Sequence, residues 1–182
     1  IPLVWKSYEP GRYRIFQVHE PKERTIMALP FRDRVCQHAL HNIIEPIFDR
    51  TFINDSYACR HGRGLHRAML KTKEYIRSGG PGCWILKADI RKFFANIDHD
   101  VLKTIIRRKI KCKETLWLID LWADHHTDAV GLPIGNLTSQ LFANITLGAL
   151  DHHVKEELSI KGYCRYMDDF ILIPDTKDRA KA

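Results

Sequence analysis

The 182-residue sequence predicts an α+β fold in which helices cover one face of a small antiparallel sheet, and three stretches carry that prediction. The first is Tyr163-Cys164-Arg165-Tyr166-Met167-Asp168-Asp169-Phe170-Ile171-Leu172-Ile173. Two β-prone runs of aromatic and branched residues flank an Asp-Asp pair there, the pattern of a hairpin with a polar tip. The second is Cys83 to Ile90, an apolar run that closes on Asp89 and would lie beside the hairpin as a neighbouring strand. The third begins near Thr138, where Leu141, Ile145, Leu150, Val154 and Leu158 recur at helical spacing and Gly162 stands where the helix would end.

The preceding elements follow in order. Residues 14–18 and 25–29 read as two strands, and His19 to Arg24 would join them as a hairpin with Lys22 and Arg24 at its tip, available to an anion. Phe31 to about Ile44 follows Pro30 as a helix, with Val35, Leu40, Ile43 and Ile44 as its apolar side, Asp33 in its first turn and Pro46 interrupting it. Ser56 to Gly64 is a basic loop with two glycines, and Leu65 to Arg77 is helical. Ser78-Gly79-Gly80-Pro81-Gly82 is the clearest break, so a boundary there separates residues 1–82 from 83–182. Asp98 can cap a helix in which Val101, Leu102, Ile105, Ile106 and Ile110 keep the 3.6 period, with Lys103, Arg107, Arg108, Lys109 and Lys111 as a solvated face. A second helix carries Leu116, Trp117, Ile119, Leu121 and Trp122, whose tryptophans read as core. Gly131-Leu132-Pro133-Ile134-Gly135-Asn136 is a tight loop leading into the long helix.

Composition narrows the class. Hydrophobic residues make up 45% and charged residues 28%, an ordinary globular balance, and no apolar run approaches 18 residues, so no membrane segment is expected. The five cysteines are scattered without a C-x-x-C pair, which argues against a structural zinc or a disulfide framework and for a reducing, cytoplasmic compartment. The histidine pairs at 125–126 and 152–153 point different ways on a helix and do not read as metal ligands. Net charge is +7, unevenly spread: residues 1–82 carry 14 Lys and Arg against 8 Asp and Glu, and residues 83–182 carry 15 against 14. A basic front beside an acidic-tipped back suits a phosphate-rich partner. The chain opens on Ile1 rather than Met and is expected to be a piece of a longer one.

Adjacent aspartates at a turn repel each other, so Asp168 and Asp169 call for a positive partner, the alternative being a plain solvated turn. If Asp89 closes a neighbouring strand, three carboxylates meet at one sheet edge. All-oxygen ligands suit Mg²⁺, and two such ions roughly 3.5–4 Å apart form the clamp used in phosphoryl transfer.

The motifs that surround these residues are familiar. Tyr166-Met167-Asp168-Asp169 resembles the Y-x-D-D signature of reverse transcriptases. Lys87-Ala88-Asp89-Ile90-Arg91-Lys92-Phe93-Phe94-Ala95-Asn96-Ile97-Asp98-His99 resembles the first catalytic motif of their prokaryotic members, and Phe31-Arg32-Asp33-Arg34-Val35-Cys36-Gln37 the helix start after their fingers hairpin. Gly131-Leu132-Pro133-Ile134-Gly135-Asn136-Leu137-Thr138-Ser139-Gln140 is similar to the loop of the enzymes of diversity-generating retroelements: many reverse transcriptases have Gln where Ile134 stands and Pro where Gln140 stands. Retron, group II intron and phage-defence relatives share pieces of this loop and stay as alternatives, as does a nucleic-acid-binding module without chemistry.

The resemblance implies a right-hand polymerase with residues 1–82 as fingers and 83–182 as a ferredoxin-like palm, the thumb following Ala182. It implies that Asp89 and Asp168 bind two Mg²⁺ (or Mn²⁺) ions with help from the Ile90 carbonyl, and that Asp169 supports the site. Phe94 would block a ribose 2′-OH, and Lys22 and Arg24 would hold the triphosphate. Ile134 and Gly135 would lie against the incoming nucleotide and its templating base, Gln140 would also be among the substrate-binding residues, and Tyr166 and Met167 would meet the primer end. The implied partners are template RNA, primer or cDNA, dNTPs and a small basic accessory protein.

Overall fold

The computed structural model describes residues 3, 5–19, 23–127 and 129–174. Among them, no helix is long and apolar enough to cross a membrane. The chain forms two compact units, each built from two separate stretches: residues 1–45 with 94–141, and residues 46–93 with 142–182. This division does not follow the glycine-rich break at 78–82. The helix before that break, α2 (Leu65–Gly79), packs on strands that come long after it, β4 (Gly162–Tyr166) and β5 (Asp169–Ile173).

In the first unit, β1 (Arg14–Val18) and β2 (Arg24–Ala28) pair antiparallel, with Arg14 opposite Ala28 and Val18 opposite Arg24. The helix α1 (Phe31–Asp49) starts beside a fully buried Asp33, which accepts bonds from Tyr8 Oη, Gly11 N and Arg32 Nε. Burial pushes this carboxyl up, but the three donors outweigh it and hold it below the usual carboxylate range.

Pro46 was expected to stop α1, yet the helix runs through it to Asp49. A mid-helix proline costs about 3 kcal/mol. Ile44 and Phe48 on either side are 0% and 2% exposed, and burying two such side chains returns about 1.5–3 kcal/mol each, enough to carry the helix past the defect.

The helices α3 (His99–Lys109) and α4 (Lys113–Asp124) pack on each other. Asp98 caps α3 as expected, accepting from Val101 N at 2.9 Å. Leu102, Ile106, Ile119 and Trp122 are buried. The basic face of α3 is not simply solvated: Lys103 Nζ bonds both oxygens of Asp124 at 2.6 and 2.7 Å, and Arg107 Nη2 bonds Asp120 at 2.7 Å. Buried His99 joins the same cluster, with Nδ1 3.0 Å from Asp124 Oδ1 and Nε2 2.8 Å from the Gly131 carbonyl. That makes it a tie between α3, α4 and the loop before α5 (Leu137–His152).

The second unit holds a three-stranded antiparallel sheet in the order β3–β5–β4, with β3 spanning Leu86–Asp89. Val154, Ile160, Tyr163 and Leu172 form its buried cluster, joined by Ile53, Leu150 and Phe170. Tyr57, Ala68 and Cys164 make a second cluster with α2. The outer edge of β4 is covered by the 55–57 segment, since Arg165 N donates to Asp55 O at 2.9 Å and Tyr57 N to Arg165 O at 3.0 Å.

The long helix departs from its sequence pattern in two ways. Its apolar positions were expected on one stripe, but from Leu141 to Ile145 every residue is buried, and Leu158 is 41% exposed. Gly162 does not end the helix either. α5 passes into a π-turn over His153–Glu157, Ser159 takes the left-handed conformation (φ 53°), and Gly162 is already the first residue of β4. Glycine is needed there because a Cβ would stand 2.8 Å from the Ile173 carbonyl oxygen.

Candidate active site

The second unit carries the carboxylates. β4 and β5 are joined by a two-residue loop, Met167-Asp168, between the paired residues Tyr166 and Asp169. Met167 has φ 58° and Asp168 is not among the residues with positive φ, the sign pattern of a II′ hairpin turn. Methionine is an unusual occupant of that position, and a non-glycine residue held there costs on the order of 1–3 kcal/mol.

On the other side of β5, β3 runs antiparallel with Asp89 directly opposite Asp169, and the next residue, Ile90, donates its N–H to the Asp168 carbonyl at 3.3 Å. Cross-strand partners in such a ladder have Cα atoms about 4.5–5.5 Å apart, so the backbone brings Asp89 and Asp169 together on one face. Both are exposed, while Asp168 and Ile90 are half-buried. The three carboxylates do not close on one point, and no group of three or more His, Cys, Asp or Glu arranged to hold a metal occurs among the described residues. Asp168 belongs to the loop and Asp169 opens β5. The donor set is wholly carboxylate and carbonyl oxygen, which fits a hard divalent cation rather than zinc.

Beneath the turn lies an arrangement that reading the sequence missed. Arg165 and Asp151 are both fully buried and joined at 2.6 and 2.7 Å. Asp151 also accepts from Tyr163 Oη at 2.7 Å; burial first, then the Asp151 charge, pushes the Tyr163 hydroxyl well above its ordinary range. A signal was present in the sequence. Asn144 and Asp151 stand seven residues apart on one face of a largely apolar helix, and Arg165 interrupts an apolar strand. Each alone reads as a surface residue.

An apolar groove of about 650 Å³ runs alongside, between α2 (Leu65, Met69, Ile76) and the sheet (Cys164, Phe170), with Tyr166 and Asp169 among its lining residues. Tyr166 is 39% exposed and Met167 is buried.

The remaining candidate residues belong to the first unit, except Lys22, which lies outside the described residues. Arg24 is exposed at the start of β2. The Ile134 carbonyl accepts from Met27 N at 2.9 Å, which leaves the Ile134 side chain outward and 40% exposed. Gly135 has φ 116°, and a Cβ on it would stand 2.9 Å from Ile26 Cγ2 and 3.1 Å from the Met27 carbonyl oxygen, so only glycine lets this loop lie so close to β2. Gln140 is exposed on α5. Of the adjacent phenylalanines, Phe93 is buried and Phe94 half-buried, with the Phe94 carbonyl accepting from Leu132 N at 2.7 Å.

The profile of the reverse transcriptase (RNA-dependent DNA polymerase) family matches residues 18–182. Protein YkfC of Escherichia coli K12 is 29% identical over 94% of this chain and 56% of its own length. The group II intron-encoded protein LtrA of Lactococcus lactis is 33% identical over 79% of this chain and 25% of its own. The chain thus spans about half the length of the first relative and a quarter of the second. Telomerase from Candida albicans, solved with a fragment of telomeric RNA, superposes with a TM-score of 0.65 at 12% identity, covering 95% of this chain and 39% of that one, a likeness of fold.

Proposed function

Because the chain belongs to the reverse transcriptase family, we propose that the full-length gene product is an RNA-directed DNA polymerase that makes cDNA on a template RNA. The observation that carries this is the register setting Asp89 opposite Asp169, beside the Tyr166-Met167-Asp168-Asp169 turn. In this reading residues 1–82 serve as fingers and 83–182 as palm. Asp89 and Asp168, with the Ile90 carbonyl and Asp169 in support, would hold two Mg²⁺ ions, for which Mn²⁺ can stand in. Such ions lower the pKa of an attacking hydroxyl and stabilise a leaving pyrophosphate. Lys22 and Arg24 neutralise the triphosphate, and Tyr166 and Met167 face the primer end.

The test is primer extension on an RNA template with labelled dNTPs and Mg²⁺, with Asp168→Asn as the control. Incorporation by the parent and none by the control is expected; equal incorporation by both, or by neither, contradicts the reading. Phe94 is assigned as the gate against ribonucleotides, since an aromatic ring is rigid and cannot flex along its length to make room for a 2′-OH. Phe94→Ala is expected to reduce discrimination between dNTP and rNTP, measured as the ratio of kcat/KM values, by about 10–200-fold. An unchanged ratio refutes the gate.

Within the family, Ile134, Gly135 and the Ser139-Gln140 pair support the error-prone enzyme of a diversity-generating retroelement, which would act with a small basic accessory protein. An aliphatic residue at 134 offers no buried polar group to penalise a mispair. Ile134→Gln is therefore expected to lower misincorporation opposite template adenine, read by sequencing the cDNA. A second reading, an intron-encoded enzyme, is favoured by the likeness to LtrA. Uniformly low error in the parent, unchanged by the substitution, would select it.

A further inference from the structure

We propose that Arg165, clamped by Asp151, is the positioning residue of the catalytic turn: its guanidinium fixes the Met167 carbonyl and so sets how Asp168 and Asp169 are presented to a divalent cation. The inference rests on the reading of the aspartates as a cation site.

A guanidinium has five N–H donors in a rigid plane, and here every one is used. Nε and Nη2 grip the two oxygens of Asp151 at 2.7 and 2.6 Å, Nη1 donates to Asn144 Oδ1 at 3.0 Å, and Nη2 donates to Ser56 Oγ at 2.9 Å. These four bonds come from helix α5 and the 55–57 segment, and they fix the plane of the guanidinium. The fifth runs from Nη1 to the Met167 carbonyl at 3.0 Å. It lands on the one loop residue whose φ, at 58°, departs from ordinary L-residue geometry. From the opposite side, the Ile90 N–H holds the Asp168 carbonyl. The peptide units on either side of Asp168 are therefore each tethered, one to a buried ion pair and the other to the strand that carries Asp89.

A lysine could not replace this. Its ammonium is a point charge without the planar fork, so it cannot grip both oxygens of Asp151 and also reach the Met167 carbonyl in fixed directions. A purely architectural ion pair would affect stability alone. A positioning residue also changes cation affinity in protein that is still folded, as partners behind first-contact ligands do.

The experiment measures Mn²⁺ affinity of the full-length gene product by the electron paramagnetic resonance of free Mn²⁺, without nucleotide, at a temperature where every variant is folded by near-UV circular dichroism. Arg165→Lys is expected to weaken Mn²⁺ binding about 10- to 100-fold. Tyr163→Phe removes a buried bond to the same Asp151 but leaves all five Arg165 bonds, and is expected to lower the melting temperature with Mn²⁺ affinity unchanged. If Arg165→Lys does not fold, Asn144→Leu takes its place, because it removes the second acceptor of Nη1, the nitrogen that holds the Met167 carbonyl. Wild-type affinity in the folded Arg165 or Asn144 variant, or an equal loss in Tyr163→Phe, overturns the positioning role. Mn²⁺ binding indifferent to Asp168→Asn removes the cation site itself, a distinct failure.

Discussion

Asp89→Asn is expected to lower the rate of nucleotide incorporation by about 10³-fold, roughly 4 kcal/mol of transition-state stabilisation, with no loss of fold stability. The two halves of that expectation have separate causes. Asparagine keeps the shape of aspartate but brings no charge, so a cation held by carboxylates keeps only a neutral amide oxygen there and loses the attraction that draws it in. Stability is spared because Asp89 is exposed and stands directly opposite Asp169. Like charges facing each other across an antiparallel pair are destabilising, so neutralising one should leave the melting temperature unchanged or slightly raised. Single-turnover incorporation and calorimetry on the same preparation check both halves. A large drop in melting temperature would mean that Asp89 is part of the fold rather than of the chemistry.

The second large effect is on stability. Arg165→Met is expected to destabilise the protein by about 3–5 kcal/mol, since it leaves Asp151 charged and without its cation in a fully buried site. That is a large share of the ~5–15 kcal/mol by which folded domains exceed their unfolded chains. Combining it with Asp151→Leu should recover part of the loss, because an apolar pair of similar volume leaves no buried charge behind. Recovery should be incomplete: Tyr163, Asn144, Ser56 and the Met167 carbonyl would all lose a partner. Urea unfolding of the two variants and the parent measures this, and a double variant no better than the single one would contradict it.

Much of the fold was legible because local chemistry agreed with the final packing. The hairpin at 163–173 stood out by its strand-forming runs around Asp168-Asp169, and the Asp98 cap by its place ahead of a 3.6-residue apolar period. The failures share a cause. Pro46 and Gly162 were read from local preference, and in both cases burial elsewhere in the chain decided the outcome: Ile44 and Phe48 carry α1 past its proline, and the approach of Ile173 uses the glycine as a strand residue. The two compact units, each built from stretches far apart in sequence, could not be seen as a shift in composition. At the site, the aspartates were visible as charges that have no reason to sit in apolar runs. The Arg165–Asp151 clamp was not, because its members come from a loop, a helix and a strand, and each looks like a solvent-facing polar residue until they are brought together.

The proposed function requires Asp89 and the Asp168-Asp169 turn to hold one and the same divalent cation site. Fe²⁺ bound in place of Mg²⁺ generates hydroxyl radicals in the presence of ascorbate and peroxide, and these cut the nearby backbone. Mass spectrometry of the fragments should show cleavage at two places, around Asp89 and around Asp168, both suppressed by excess Mg²⁺ and both lost in Asp168→Asn. Cleavage at only one of the two, or at both but indifferent to Asp168→Asn, would contradict the account.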